Sequence, residues 1–351
     1  MSTKIAFFDA KPYDIEFFND LNKTYSFDIT YFKHHLTVEN AVLVQNHEVV
    51  CVFVNDILDE PVIQKLHSLG VKLIALRCSG YNNVDFKSSY GKIHIVRVPA
   101  YSPNAIAEHA VALMLSLNRK IHRAYYRTRD NNFALNGLLG FDMYKKTAGV
   151  IGTGKIGKCL ISILKGFGMK VLAYDAYPDL AYAKKEEITY TNLESVVSES
   201  DIISLNCPLT KETEYIINES SIEMMKHGVM LINTGRGKLI NTKDLIKGLK
   251  TGKIGAAGLD VYEEESELFF EDLSNRILTD DVLARLLSFN NVIITSHQGF
   301  FTKEAMYNIA ETTMNNIKDF AENKIVLENE ICYQCNKIGS NCLKNQQKKC
   351  F

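Results

Sequence analysis

Three side chains able to hold an anion or move a proton occur at the same kind of place in this chain. Val229-Met-Leu-Ile232 runs into Asn233-Thr-Gly-Arg236, Gly255-Ala-Ala-Gly-Leu-Asp260 runs into Val261-Tyr-Glu-Glu-Glu265, and Val292-Ile-Ile-Thr295 runs into Ser296-His297. Each segment reads as a short apolar strand that ends in a reactive residue. A guanidinium is a planar, permanently charged fork that matches a carboxylate and a polarised carbonyl oxygen. An imidazole gives or takes a proton near neutral pH. A carboxylate hydrogen-bonded to an imidazole favours the charged ring and fixes its tautomer. These are the needs of a 2-keto acid whose carbonyl carbon receives a hydride: Arg236 to bind and polarise, His297 to deliver the proton, Glu265 to partner His297. Taken singly, a strand-end arginine is commonly a salt-bridge residue, a histidine a packing residue, and a glutamate within the 263–265 run a solvated one. What sets these three apart is that they end successive strands beside a nucleotide loop.

The nucleotide loop is Ala148-Gly-Val-Ile-Gly152-Thr-Gly154-Lys155-Ile156-Gly157, an apolar strand entering a G-x-G-x-x-G turn that opens a helix. Gly152 allows the tight turn, Gly154 lets a pyrophosphate approach the backbone, and Gly157 lets helix and strand pack closely. The helix start offers free N–H groups and a partial positive charge to the phosphates. Eighteen residues after Gly157, the apolar run from Lys170 to Tyr174 ends in Asp175. A carboxylate there accepts bonds from both ribose hydroxyls and repels a 2′-phosphate, which points to NAD rather than NADP. Ala176 and Tyr177 follow it, not an arginine. Ligands of open parallel sheets bind beyond the carboxyl ends of the strands, the edge at which all these residues fall.

The elements that must position them read as α/β throughout. Before the glycine loop, strands are predicted at Lys4–Phe8, Val49–Val54, Leu73–Leu76 and Ile93–Val96, with helices at Tyr13–Leu21 and Glu60–Leu69. This is a second parallel unit. Pro99 and Pro103 bracket a turn, and Asn104 to Arg123 reads as one long connecting helix. Further strands are predicted at Val150, Val171–Tyr174, Ile202–Leu205, Val229–Ile232, Gly255–Asp260 and Val292–Thr295, and a last helix at Lys303–Asn323. The segment Arg77-Cys-Ser79-Gly80-Tyr-Asn-Asn-Val-Asp85 follows a strand of the first unit, and its backbone N–H groups suit a substrate carboxylate. Tyr101, on the interdomain turn, is placed to cover the substrate.

With 351 residues the chain has room for two domains with their own cores. A net charge of −1 gives no basic field for nucleic acid or an anionic membrane. Met1 to Ala10 lacks the apolar core of a signal peptide, and no apolar run reaches membrane-spanning length. A cytoplasmic location is expected. Of eight cysteines, Cys51, Cys78, Cys159 and Cys207 read as reduced thiols in apolar or turn contexts. The other four, Cys332, Cys335, Cys342 and Cys350, crowd a lysine-rich tail. Four thiols could form a zinc or iron–sulfur site, but their spacing matches no established signature, so a flexible or simply packed tail is the favoured reading and no metal site is assigned.

The chain resembles the D-isomer-specific 2-hydroxyacid dehydrogenases. The resemblance is carried by Arg77–Asp85, Val98-Pro-Ala-Tyr-Ser-Pro103, Ala107-Glu-His-Ala-Val-Ala112, Thr147–Gly157, Ile232–Gly237, Gly258–Glu265 and Ser296–Phe300, and it extends to about residue 330. Leu268-Phe-Phe-Glu-Asp272 and Ala124-Tyr-Tyr-Arg-Thr-Arg129 are similar to the family's D-lactate branch. The resemblance implies two Rossmann-like or flavodoxin-like parallel-sheet domains with a cleft that closes on ligand. The NAD-binding domain (102–298) would be inserted into a discontinuous substrate domain (1–101 and 299–351). It implies NAD contacts at Lys155, Ile156, Asp175, Cys207, Pro208, Thr213, Thr234, Gly235 and Asp260, and a substrate pocket shaped by Ser79, Gly80, Tyr101 and Phe300. It also implies pyruvate and D-lactate as substrates and a homodimer or homotetramer. The D configuration of the product rests on the resemblance alone. Two departures stand out: Gly235, where serine or alanine is frequent, is expected to loosen its turn, and Asn241, where an acid is common, to matter little. A larger 2-keto acid as substrate, or an NAD(H)-sensing regulatory role for the same fold, stays open at this point.

Overall fold

The computed structural model describes residues 2–265, 268–324 and 329–334. In chain order the elements are β1 (Lys4–Phe7), α1 (Pro12–Tyr25), β2 (Asp28–Tyr31), β3 (Val49–Val52), α2 (Glu60–Ser68), β4 (Leu73–Leu76), α3 (Phe86–Ser89) and β5 (His94–Val96). Then come α4 (Pro103–Arg119), α5 (Ile121–Arg129), β6 (Thr147–Ile151), α6 (Lys155–Gly166), β7 (Lys170–Tyr174), α7 (Leu180–Glu186), β8 (Thr189–Tyr190), α8 (Leu193–Glu199) and β9 (Ile202–Leu205). They are followed by α9 (Glu219–Met224), β10 (Val229–Asn233), α10 (Thr242–Thr251), β11 (Ile254–Leu259), α11 (Asp281–Leu287), β12 (Val292–Ile294), α12 (Lys303–Ala321) and β13 (Glu330–Ile331).

The chain divides into two compact units, one of Met1–Ser102 with the described residues from Thr302 onward, the other Pro103–Phe301. The first unit holds a sheet of order β13-β5-β4-β3-β1-β2, parallel except for β13. Its strands alternate sides, as a period of two requires. Ala6, Val50, Val52, Ile74 and Leu76 share one core with α2, while Ile5, Phe7, Val49, Cys51 and Leu73 share the other with α1 and α12. Both faces are covered, so the strands read as unbroken apolar runs. Each fully buried aliphatic side chain contributes about 1.5–3 kcal/mol.

The second unit holds an all-parallel sheet of order β12-β11-β10-β9-β6-β7-β8. The order reverses between β6 and β9, which is where such sheets bind nucleotides. Leu172, Ile203, Leu205, Leu231 and Ala257 face one core; Ala148, Val150, Ala173, Met230 and Ile232 face the other, with α4 and α6 packed over them. Gly258 allows α4 its approach, since a Cβ there would meet Ile232 Cδ1 at 2.9 Å and Leu113 Cβ at 3.1 Å.

The expected long helix over 104–123 is two helices. α4 stops at Arg119, and Lys120 takes a left-handed φ of 51° before α5 begins. The physical reason lies in the apolar stripe, which ends at Leu117; α5 buries none of its residues. The loop after α5 is tied back to the break: the Asn118 amide pairs with Phe141 N and O, and Lys120 Nζ donates to Leu139 O. Asn241 caps α10, its side chain accepting from Lys243 N and Asp244 N, so the departure from an acid keeps a good helix start. No helix among the described residues is long and apolar enough to cross a membrane. Cys335, Cys342 and Cys350 lie outside the described residues, while Cys332 is buried after β13.

Candidate active site

The glycine turn leaves β6 at the point of strand-order reversal. Gly152 has a φ of +92°, and a Cβ on it would strike the chain leaving β9, 2.5 Å from Cys207 N. A Cβ on Gly157 would collide with Gly152 O, so only glycine lets α6 start this close to the strand. Gly154, by contrast, faces open space within 4 Å, and it stands immediately before Lys155 and Ile156 at the start of α6. That is the shape a pyrophosphate needs: bare backbone, free helix N–H groups and room.

Asp175, one residue past β7, is fastened to this turn. Its Oδ2 accepts from Thr153 N (2.6 Å) and Thr153 Oγ1 (2.9 Å), and its Oδ1 accepts from Tyr177 N (2.9 Å). Partial burial would raise its carboxyl, but these hydrogen bonds outweigh it and hold the group below the ordinary range, so it is charged at neutral pH. The Tyr190 hydroxyl donates to Thr153 Oγ1 at 2.7 Å and completes the chain. Thr153 and Tyr190 were not singled out in the sequence; the x of G-x-G carries no type signal, and Tyr190 sits on a two-residue edge strand.

Across the reversal, Cys207 and Pro208 follow β9. Burial pushes the Cys207 thiol up to about 11, so it stays protonated. Thr213 Oγ1 donates to Pro208 O at 2.6 Å and accepts from Thr210 N at 2.7 Å, closing that loop on itself. Thr234 is buried after β10, and its hydroxyl has no partner among the described residues. An orphaned buried hydroxyl at the end of a central strand, together with the open backbone at Gly154, fits a dinucleotide that this unit is shaped to accept.

The reactive residues follow β10, β11 and β12, three adjacent strands. After β10, Asn233 pins the next turn: its Oδ1 accepts from Gly235 N (3.0 Å), and its Nδ2 donates to Arg236 O (2.9 Å). The turn carrying Gly235 is therefore tied rather than loose. Arg236 is half-buried, with Nη1 donating to Gly235 O at 2.7 Å. Gly237 packs against the Tyr262 backbone so closely that a Cβ would collide with it.

His297 and Glu265 meet directly. His297 Nδ1 lies 3.0 Å from Glu265 Oε1, and each side chain is 23% exposed. Glu265 is itself aimed, since its Oε2 accepts from Tyr262 N at 2.9 Å. The Phe270 ring lies 5.7 Å from the imidazole and 6.5 Å from the buried Phe300. His297 has a left-handed φ of 53°.

Asp260, one residue past β11, is 1% exposed. Its carboxylate gathers the loop that carries His297: Oδ1 accepts from Thr295 Oγ1 (2.6 Å) and Gln298 N (2.9 Å), and Oδ2 accepts from Gly299 N (2.8 Å). Burial would raise this acid, but its hydrogen bonds with His109 and Thr295 and with the Gly299 N–H hold it below the ordinary range.

In the first unit, Ser79 and Gly80 follow β4 in a loop fixed from below. The Arg77 guanidinium is buried, donates to Asp9 O (2.7 Å), lies 3.5 Å from Asp14 and stacks on Phe7 and Phe53. Arg97 Nη1 donates to Ser79 O at 2.8 Å. Tyr101 O accepts from Asn308 Nδ2 at 2.7 Å.

A parallel sheet reversing at a glycine turn, an acid tied to that turn and a strand-end His–Glu pair define a nucleotide-dependent oxidoreductase. The family model described as D-isomer specific 2-hydroxyacid dehydrogenase, NAD binding domain, matches residues 111–299. The chain is 50% identical over 317 residues to the D-lactate dehydrogenase of Escherichia coli, covering 90% of this chain and 96% of that one. The apo structure of D-lactate dehydrogenase from E. coli superposes with a TM-score of 0.87 at 46% identity, covering 94% of this chain and all 100% of that one. The NAD-complexed form of a D-isomer specific 2-hydroxyacid dehydrogenase from Lactobacillus delbrueckii ssp. bulgaricus gives 0.77 at 33% identity, covering 94% and 100%. The chain belongs to the D-isomer-specific 2-hydroxyacid dehydrogenases, and its cofactor is NAD.

Proposed function

We propose that this chain is an NAD-dependent D-lactate dehydrogenase that works chiefly as a pyruvate reductase. The observation that carries this reading is the His297–Glu265 pair, with Nδ1 and Oε1 3.0 Å apart. Because Nδ1 serves Glu265, Nε2 is the nitrogen left for the keto oxygen. Arg236 takes the carboxylate and carbonyl oxygens as a bidentate fork. Ser79 and Gly80 offer backbone N–H groups to the carboxylate, and Tyr101 and Phe300 shape the apolar remainder of the pocket. NADH supplies the hydride when bound. Gly152, Gly154 and Gly157 with Lys155 and Ile156 hold its pyrophosphate, Asp175 its ribose, and Cys207, Pro208, Thr213, Thr234, Gly235 and Asp260 the rest of its length. As the ketone carbon is reduced, His297 donates its proton to the oxygen and Glu265 steadies the ring. The high identity to the E. coli D-lactate dehydrogenase favours pyruvate over a larger keto acid.

The reading includes a cytoplasmic enzyme that assembles with copies of itself through the second unit. Tyr126, Phe133, Leu135, Leu139 and Tyr144 are 69%, 72%, 81%, 88% and 62% exposed. They cluster in α5 and the loop behind it, and Arg127 holds that loop in place by donating to Ala134 O and Asn136 O. An ordered segment that turns apolar side chains outward is characteristic of a subunit interface.

The test is NADH oxidation over a panel of 2-keto acids, with the product's configuration determined by chiral chromatography. Pyruvate should give the highest kcat/KM and D-lactate the product. Preference for phenylpyruvate or a branched-chain keto acid would move the enzyme to another branch of its family. Tight NADH binding without turnover on any keto acid would make it a regulatory protein.

A further inference from the structure

We propose that His109, on α4, is a positioning residue for proton transfer by His297 and acts through Thr295 and Asp260. The inference rests on the reading of His297 as the acid/base, and it begins from the backbone. His297 holds a left-handed φ of 53°, which a non-glycine residue keeps only when its surroundings over-determine it. The fasteners are visible. His297 N donates to Asp260 O (2.8 Å) and to Thr295 O (3.0 Å), while the next two N–H groups, of Gln298 and Gly299, go to the two carboxylate oxygens of Asp260. One buried aspartate thus holds three successive residues of the turn.

What holds the aspartate and its partner threonine is a histidine from a different element. His109 Nε2 lies 3.1 Å from Thr295 Oγ1 and 3.3 Å from Asp260 Oδ1. A hydroxyl has one hydrogen, and Thr295 gives it to Asp260 across 2.6 Å. Toward His109, Thr295 can only accept, and so can the carboxylate. His109 Nε2 therefore carries a hydrogen and is the donor. The ring also packs on the turn itself: a Cβ added to Gly299 would stand 3.3 Å from His109 Cδ2 and 2.9 Å from Asp260 Oδ2. Because α4 is packed on α6, β10 and β11, the donor stands on a rigid element rather than on the loop it steadies. Removing it leaves the His297 turn free to relax from its left-handed state, which would swing the imidazole away from Glu265.

The experiment uses the full-length protein with pyruvate and NADH. His109→Phe keeps a flat ring and removes the donor, His109→Gln restores an N–H at similar reach, and Thr295→Val removes the relay hydroxyl. His109→Phe and Thr295→Val should each lower kcat about 30–100-fold, with KM for pyruvate and the fluorescence-measured Kd for NADH within about threefold of the parent. His109→Gln should recover at least about a third of kcat, and the double variant should be no worse than about threefold below either single, because the two residues form one chain. A residue that served packing alone would show no such rescue and no such coupling. The proposal is overturned if His109→Phe and Thr295→Val keep kcat within about threefold, if Gln fails as badly as Phe, or if the double variant shows the product of the two losses. Should His109→Phe fail to fold, Thr295→Val carries the test. His297→Gln is run alongside. If it loses about a thousandfold or more while the His109 and Thr295 variants keep kcat within about threefold of the parent, only the positioning role fails. If His297→Gln keeps its turnover, the acid/base reading fails, and this inference with it.

Discussion

At the scale of single residues, the chemistry is a division of labour among charged groups whose environments differ. In the proposed reading Arg236 meets the substrate as a planar fork, so Arg236→Lys keeps the charge but loses the bidentate geometry. The expected outcome is a fall of about a hundredfold in kcat/KM for pyruvate, with NADH binding unchanged, measured by steady-state kinetics and fluorescence titration. Asp175 is a charged acid tied to the glycine turn, and in the proposed reading it also selects the ribose. Asp175→Ala should raise the Kd for NADH about tenfold or more and bring NADPH close to parity with NADH. An unchanged preference for NADH would place cofactor selection elsewhere. Arg236, Glu265, His297 and Asp175 could be picked out in the sequence because each ends an apolar run, and a strand's carboxyl end is where such sheets bind ligands. Thr153, Tyr190 and His109 could not. Thr153 fills a position of the motif that any residue may occupy, and His109 is one residue of the Ala107–Ala112 segment with no pattern that marks it, its partners far off in the chain.

At the scale of elements, the turn after β12 depends on a buried charge. Asp260 is held below its ordinary pKa, so its contribution to stability is present above the unfolded value and is lost as pH falls through the lower, folded one. Asp260→Asn replaces an acceptor by a donor facing N–H groups. It should cost about 1–3 kcal/mol at neutral pH, and the difference from the parent should shrink as the pH is taken below about 4. Denaturant midpoints between neutral and acid pH check this; a difference independent of pH would deny the carboxylate its role. Central strands such as Ile202–Leu205 could be placed from the sequence to the residue, because burial on both faces leaves an uninterrupted apolar run. Of the edge strands, β12 keeps its apolar Val292-Ile-Ile run, but the other three could not be so placed: β2, β8 and β13 are short and lie at sheet margins, where little of the pattern survives. Nor could the break at Lys120, since α4 and α5 both have good helix composition and only the end of the apolar stripe separates them.

At the scale of the whole molecule, the exposed apolar arm formed by α5 and the loop behind it is the basis of the proposed self-association. Charging the arm with Leu135→Glu and Leu139→Glu should yield monomers by light scattering coupled to gel filtration, with the unfolding midpoint of dilute protein little altered. An oligomer of parental size would exclude the arm from the interface. The central claim is that the His297–Glu265 pair and Arg236 meet the keto acid. It is tested most directly by a crystal structure with NADH and oxamate, an unreactive analogue of pyruvate. The expected result has His297 Nε2 about 3 Å from the analogue's carbonyl oxygen and the Arg236 fork on its carboxylate side. An imidazole turned away from that oxygen, with the analogue held by other residues, would contradict the account.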